Sequence, residues 1–430
     1  TPGTNASQSA QDLSVSPALS AQTDIRSVDE LNQIIQGAIV PQIVTSVINY
    51  ALGRKASDIH IEPLENRVRL RYRIDGKLIE ITTMPRYFRG AIISRVKILA
   101  QMKIDESRVP QDGRFDFTFH SHSIDIRVST LPTVHGEKLE MRLLDKDTGI
   151  MTLEELGITG LSFDAVIKGI NRPYGMVLAT GPTGSGKSTT LYAILNRIAR
   201  PDTNVVTLED PVEYEVPGVN QSQVKPLIGY TFASGLRSVL RQDPNIIMVG
   251  EIRDLETASM ATHSALTGHL VLSTLHTNDA AGALPRLIDI GVEPFLITSA
   301  VNTIIAQRLV RKLCVACRQQ VELPEGVIAE IRAELTKLKG FPISAQTTFT
   351  FYQAVGCGEC PDGYAGRIGI FEILSMSDTI ESLVVSKNPK NAIAQAAIGE
   401  GMITLKQDGI LKALKGITTI DEVWRVTSEL

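Results

Sequence analysis

The chain contains no run of about 18 apolar residues, so no segment reads as a transmembrane helix. It has no excess of positive charge. Its 43 Lys and Arg face 47 Asp and Glu, and a formal net charge of −4 argues against a general nucleic-acid binder. Cysteine is scarce: four residues in two C-x-x-C pairs, a metal pattern of a reducing compartment rather than a secreted disulfide set. Residues 1–24 are Ser, Ala, Gln, Thr and Pro with almost no large apolar side chain. Without an apolar h-region this is no signal peptide, and residues 1–27 read as a disordered linker. The first residue is Thr1 rather than Met, so the start is expected to be either processed or cut from a longer chain. No internal repeat is visible. At 430 residues, 43% apolar and 21% charged, the chain is a soluble globular protein too long for one ordinary core, so two or three domains are expected.

What is present is concentrated in a few segments. Gly181-Pro182-Thr183-Gly184-Ser185-Gly186-Lys187-Ser188 matches G-x-x-x-x-G-K-[ST] at every fixed position. Met176–Thr180 before it reads as a short buried strand. Thr189 to Arg200 after it reads as a helix with Leu191, Ile194, Leu195 and Ile198 on one face. Strand, glycine loop and helix are the context that makes a phosphate site. The glycines let several N–H groups converge, and the helix N-terminus adds partial positive charge. Gly181 through Thr189 are the expected nucleotide-binding residues, with Lys187 reaching the β- and γ-phosphates and the Ser188 hydroxyl ligating Mg²⁺.

Around this loop the pattern divides the chain. Residues 28–147 read as an α+β domain: helical spacing over 28–55, a strand at 57–62, and strict alternation in Arg67–Ile74. The alternation places four arginines on one face. Asp75-Gly76 then signals a tight hairpin, and a helix at about 88–102 precedes strands at 115–119, 124–130 and 137–144. Residues 148–160 read as an interdomain linker. From 161 to 312 strands (176–180, 204–208, 246–250, 270–274) alternate with helices (187–200, 230–242, 255–266, 278–290, 294–312). That alternation predicts a parallel sheet, with the nucleotide at the carboxyl ends of its strands. Residues 313–372 hold the cysteine pairs, and 373–430 read as a helical subdomain.

Three further segments fall at strand ends. Ile246–Gly250 is an apolar strand closing on Glu251, a carboxylate placed to polarise a water for in-line attack or to hold Mg²⁺ through water. Val205–Leu208 runs into Glu209, Asp210 and Glu213, a cluster that needs a facing cation; Glu209 and Glu213 would orient the metal's waters. Thr267–Asn278 puts a histidine on each side of a strand. His276 is at the nucleotide edge and could sense the γ-phosphate, whereas His269 is read as structural. Mg²⁺ would thus be held through Ser188, Glu209 and Glu251.

Cys314-x-x-Cys317 and Cys357-x-x-Cys360 supply four thiolates, the number a tetrahedral structural Zn²⁺ takes, with no open position for catalysis. In the first domain Arg108, Arg114 and Arg127, with Arg71 and Arg73, make a strongly basic face. One reading is a set of arginine fingers for a nucleotide held by a neighbouring domain or subunit; the other is solvated strand charge paired with nearby Asp and Glu.

Together these segments resemble the GspE/PilB family of secretion ATPases, which power type II secretion and type IV pilus assembly. The resemblance covers roughly residues 28 to 430: a Walker A at Gly181–Ser188, an Asp box at Thr207–Tyr214, a Walker B ending in Gly250-Glu251, a His box at Thr267–Asn278, and the tetracysteine element. It implies a RecA-like P-loop ATPase core, a PAS-like N-terminal domain before it, and zinc-binding and helical parts after it. It implies a homohexamer using ATP, Mg²⁺ and structural Zn²⁺. In such a motor Glu251 is the catalytic glutamate and the N-terminal domain donates arginines, best matched by Arg114 and Arg127, less well by Arg253 and Arg286. The implied partners are a polytopic inner-membrane platform protein and a cytoplasmic docking protein. The implied location is cytoplasmic and peripheral at the inner membrane. The family's membrane-docking N-terminal domain is expected to be missing, with residues 1–27 as its linker. The tetracysteine element points to an assembly motor rather than a retraction motor. Two other readings are a nucleotide-dependent scaffold without useful turnover and a DNA-translocating motor; the acidic charge disfavours the second.

Overall fold

The computed structural model describes residues 25–145, 149–339, 349–358, 360 and 362–428. The chain divides into two compact units, Thr1–Thr148 and Gly149–Leu430.

The first unit contains α1 (Val28–Gly37), α2 (Val40–Gly53), β1 (Ala56–Pro63), β2 (Arg67–Ile74), β3 (Lys77–Pro85), α3 (Phe88–Leu99), β4 (Gln111–Phe119), β5 (His122–Thr133) and β6 (Gly136–Asp145). Its six strands form one antiparallel sheet in the order β3-β2-β1-β6-β5-β4. The alternation in β2 works as its sequence implies. Val68, Leu70 and Tyr72 are buried against Ile43, Val47 and Ile48 of α2 and Val96 of α3, so the arginines take the other face. Asp75 and Gly76 both adopt positive φ, 49° and 83°, the backbone of a two-residue hairpin turn.

The second unit contains α4 (Leu153–Leu156), α5 (Leu161–Ile170), β7 (Gly175–Thr180), α6 (Lys187–Ile198), β8 (Val205–Glu209), β9 (Asn220–Gln223), α7 (Phe232–Val239), β10 (Ile246–Val249), α8 (Leu255–Leu266), β11 (Leu270–Leu275), α9 (Ala283–Ile290), α10 (Pro294–Ala300), β12 (Val301–Leu313), β13 (Gln319–Val321), α11 (Glu325–Thr336), β14 (Phe351–Gln353), β15 (Tyr364–Ser375), α12 (Asp378–Val385), α13 (Lys390–Glu400), α14 (Leu405–Leu414) and α15 (Ile420–Thr427). A seven-stranded sheet runs β15-β12-β7-β11-β10-β8-β9. Every pairing in it is parallel except that of β15 with β12. Both faces are covered. Leu178, Ile247 and Val271 face a core shared with α7 to α10, while Val177, Met248 and Leu272 face one shared with α5 and α6.

Three expectations are corrected. The helix expected over 294–312 stops at Ala300, and Val301–Leu313 is a 13-residue strand. The run is rich in β-branched residues (Val301, Thr303, Ile304, Ile305, Val310), and an apolar run alone does not separate a buried strand from a buried helix. Its two sheet partners, β7 and β15, decide it. The stretch expected as linker, 148–160, carries α4, opened by a Thr152–Glu155 capping box, and buries Leu153 and Ile158 in the second unit's core. The boundaries expected at 312 and 372 also cut across the sheet, because β12 and β15 are strands of it.

Candidate active site

Because β7, β8, β10 and β11 are parallel, their carboxyl ends open on one edge, and the chemistry-bearing segments lie there. Gly181 follows β7 with φ +149°, and Gly186 has φ +88°. A Cβ on Gly181 would stand 2.6 Å from both the Gln307 carbonyl and the Ser185 hydroxyl oxygen, so only glycine fits. Helix α6 starts at Lys187 with Gly186 as its N-cap and no side-chain cap, leaving first-turn N–H groups for an anion. Lys187 Nζ donates to the carbonyls of Gly181 (3.0 Å) and Pro182 (3.1 Å), which holds its ammonium over the loop. Burial lowers its pKa, Glu251 opposes that, and Arg308 adds to it. Ser185 Oγ is buried without a partner among the described residues. A glycine cradle that a Cβ would fill, uncapped amides, a held lysine and an orphan hydroxyl together fit a phosphate group with its Mg²⁺.

Glu251 lies just past β10. The backbone carrying it is pinned: Gly250 N donates to Leu208 O (2.8 Å) and Thr274 Oγ1 to Gly250 O (2.7 Å). Its Oε2 is 2.7 Å from Arg253 Nε and 3.4 Å from His276 Nε2. Thr277, next to His276, is locked to the end of β7 by its N–H donating to Thr180 Oγ1 (3.0 Å). The structure therefore brings Lys187, Glu251, Arg253 and His276 to one edge. His269 is at the opposite end of β11, its Nδ1 2.9 Å from Ser264 O.

Glu209 behaves differently from a carboxylate aimed at Mg²⁺. It is buried, and both oxygens are engaged: Oε1 accepts from Thr207 Oγ1 (2.5 Å) and Gln221 Nε2 (3.0 Å), and Oε2 from the Tyr192 hydroxyl. Burial and the Glu209 carboxylate push the Tyr192 phenol well up. Tyr192 also accepts from Glu213 N (3.3 Å) and meets Tyr214 edge-on at 4.5 Å. The Tyr214 phenol, pushed up to about 12 chiefly by burial, bonds the Thr189 side chain. The acidic cluster thus reaches the phosphate helix through two tyrosines. Tyr192 read in sequence only as part of an amphipathic helix, and Gln221 carried no local signal.

Gln307 and Arg308 were also missed, because β12 was read as helix. The pairing of Ala306 with Thr180 sets both beside the phosphate loop. Arg286, on α9, has no described contact to this cluster.

At the far end of β12 the four cysteine Sγ atoms lie within 4.8 Å of one another, with separations of 3.9 Å (Cys314–Cys357), 3.4 Å (Cys317–Cys360) and 3.6 Å (Cys357–Cys360). Four thiolates about 2.3 Å from a tetrahedral Zn²⁺ stand about 3.8 Å apart, so the set fits that ion. The cluster is anchored by Leu313 N to Ile417 O (2.8 Å) and by Arg311, which pairs with Glu422 (2.8 Å) and Asp362 (2.6 Å) and stacks on Tyr364.

In the first unit, strand register sets Arg114 opposite Arg127, Arg127 opposite Arg142, Arg142 opposite Asp58, and Asp58 opposite Arg73. Four arginines and one aspartate form a single row across five strands. Carboxylates of the same sheet offset this charge: Arg142 and Arg73 pair with Asp58 (3.0 and 3.3 Å) and Arg127 with Asp125 (3.6 Å). Arg142 was not singled out in the sequence, although the alternation of Lys138, Glu140 and Arg142 carries it. Arg108 is outside the row, chelated by Glu106 (2.8 Å).

A glycine phosphate loop on a parallel sheet and a glutamate at the end of β10 define a P-loop ATPase, and the same unit carries a tetracysteine cluster whose spacing is compatible with a zinc ion. The chain belongs to the Type II/IV secretion system protein family, whose sequence profile matches residues 34–425. It is 46% identical over 413 residues to Type II secretion system protein E of Xanthomonas campestris pv. campestris, covering 95% of this chain and 71% of that one. It is 47% identical over 410 residues to the type IV pilus assembly ATPase PilB of Thermus thermophilus, covering 95% of this chain but 45% of that longer one. Among solved structures it is similar to the pilus retraction motor PilT with bound ADP, at 25% identity and a TM-score of 0.58 over 89% of this chain and 97% of that one. The Legionella pneumophila ATPase DotB shares the fold, with a TM-score of 0.65 at 22% identity over 91% of this chain and 97% of that one. The protein is an ATPase of the type II secretion and type IV pilus assembly class.

Proposed function

We propose that this chain is a homohexameric motor that hydrolyses Mg-ATP and transmits the resulting domain motion to a polytopic inner-membrane platform protein, driving pilin or pseudopilin polymerisation. The observation that carries the reading is the convergence of Lys187, Glu251 and His276 on the edge where the phosphate loop opens. Lys187 exchanges its bonds to the Gly181 and Pro182 carbonyls for β- and γ-phosphate oxygens. The amides of Gly184 to Thr189 hold the phosphates, and Ser188 holds the metal ion. Bound Mg²⁺ neutralises charge developing on the phosphate oxygens. Glu251 leaves Arg253, orients water in line with the γ-phosphate and accepts its proton; His276 beside it reads the γ-phosphate. Glu209 and Glu213 act through Tyr192 and Tyr214 on Thr189. Arg114 and Arg127, joined by Arg142 in the same row, are the arginines that the first unit donates to phosphate charge. Cys314, Cys317, Cys357 and Cys360 would hold a structural Zn²⁺. The motor works at the cytoplasmic side of the inner membrane, attached through its platform and docking partners.

The test is Mg-ATPase activity against protein concentration, with light scattering on the same samples. Specific activity rising with a six-subunit species is expected. Flat activity from a monomer rejects the hexamer and the trans role of the arginines.

A further inference from the structure

Strand β12 does more than extend the sheet. Its register carries it past the end of β7, where Ala306 is the last residue paired, opposite Thr180. The next two side chains point to opposite faces. Gln307, almost fully buried, donates from Nε2 to the Ser185 carbonyl at 2.6 Å, and its own carbonyl packs against Gly181. Arg308 donates from Nη2 to the Asn278 carbonyl (2.9 Å) and to Asn278 Oδ1 (3.2 Å), and from Nη1 to the Gln307 carbonyl (3.1 Å). Asn278 follows Thr277, which is bonded to Thr180 at the foot of the phosphate loop.

These contacts close a ring: Thr180, Thr277, Asn278, Arg308, Gln307, Ser185 and back along the loop. One side of the ring is the phosphate loop; the other is the segment carrying His276 beside Glu251. Two buried polar atoms in it, Ser185 Oγ and Gln307 Oε1, have no partner among the described residues. Such atoms are costly in a purely structural brace and mark a functional loop seat.

We propose that Gln307 and Arg308 are positioning residues of the ATPase site: Gln307 sets the phosphate loop for nucleotide binding, and Arg308, through Asn278, sets the histidine segment for the chemical step. The proposal rests on the nucleotide reading of the site. Neither residue touches the reacting atoms. Their effects therefore divide: loss of the Gln307 donor acts on ground-state binding, and loss of the Arg308 fork acts on turnover.

The experiment uses the full chain and two readouts, Kd for Mg-ADP and steady-state Mg-ATPase kinetics. Gln307→Leu should raise Kd and KM together by about tenfold, with kcat falling less than either. Arg308→Met should lower kcat by about tenfold with Kd changed by less than about threefold, and Arg308→Lys should recover part of it. Asn278→Ala should match Arg308→Met, and the double variant should be no worse than either single one. If Gln307→Leu does not fold, Gln307→Glu keeps the shape, sets a carboxylate against the Ser185 carbonyl, and should weaken Mg-ADP binding at least as much. Wild-type Kd in the Gln307 variants, or multiplicative losses in the Arg308/Asn278 pair, overturns the proposal. A wild-type chain that binds no Mg-ADP overturns the nucleotide reading itself.

Discussion

The two sheets of this molecule place their polar chemistry in opposite ways. The antiparallel sheet of the first unit has one face on a helical core, so its charged side chains take the other face, as in the row from Arg114 to Arg73. The sheet of the second unit is covered on both faces; β7, β10 and β11 are buried at every position. A strand with no polar face can offer chemistry only where it stops, and Lys187, Glu251 and His276 all follow strand ends. A covered sheet holds its reactive groups rigidly at one edge, and a half-open sheet spreads charge over an area.

The largest effects should come from the edge. Lys187→Ala or Glu251→Gln should lower kcat by at least about a hundredfold with the melting temperature unchanged. Near wild-type hydrolysis by the glutamine variant would remove Glu251 from the chemistry. On the open face, Arg127→Ala should cost about a hundredfold in kcat/KM, less than the about 10³–10⁵ of a sole arginine finger, because its row neighbours remain. An unaltered kcat/KM would detach that face from catalysis.

Stability separates the sheets in the same way. Leu272→Ala, with both faces of its strand covered, should cost about 3 kcal/mol in urea unfolding. Equal costs for Leu272→Ala and an open-face arginine would break the comparison.

The C-terminal clamp adds a pH term. Burial raises the Glu422 pKa, but hydrogen bonds from Arg425 and Arg311 outweigh it and hold the carboxyl at about 2 against an ordinary 4.5. A depressed carboxylate stabilises the fold above its unfolded value, so about 2 kcal/mol should be fully present above about pH 5 and lost as pH falls toward 2. Glu422→Gln should flatten that part of a stability-versus-pH curve; an unchanged slope would exclude the clamp. The smallest effect belongs to Arg69→Ala, below about 1 kcal/mol, since Arg69 is partly exposed and Arg71 still holds Glu62.

The phosphate loop was fully legible, because glycine spacing, a lysine and flanking periodicity are local signals. So were the strand-end glutamate, the cysteine pairs and the arginine face of β2. Tyr192, Gln221, Gln307, Arg308 and Arg142 were not. Each acquires its meaning from a partner 12 to 122 residues away in sequence, through strand register or side-chain reach that local periodicity does not report. The apolar run at 301–313 fits helix and strand equally until its neighbours are known.

The sequence by itself determined that a phosphate loop exists, that a carboxylate follows the strand at 246–249, and that four thiols come as two hooks. Those features depend on short-range backbone geometry and periodicity. Only the tertiary structure decided that β12 is a strand, that Glu209 turns inward onto Tyr192 and Gln221, and that four arginines line up in one row. Hydrogen-bonded strand pairing and close packing act between residues far apart in the chain, so they select among local options that the sequence leaves equal.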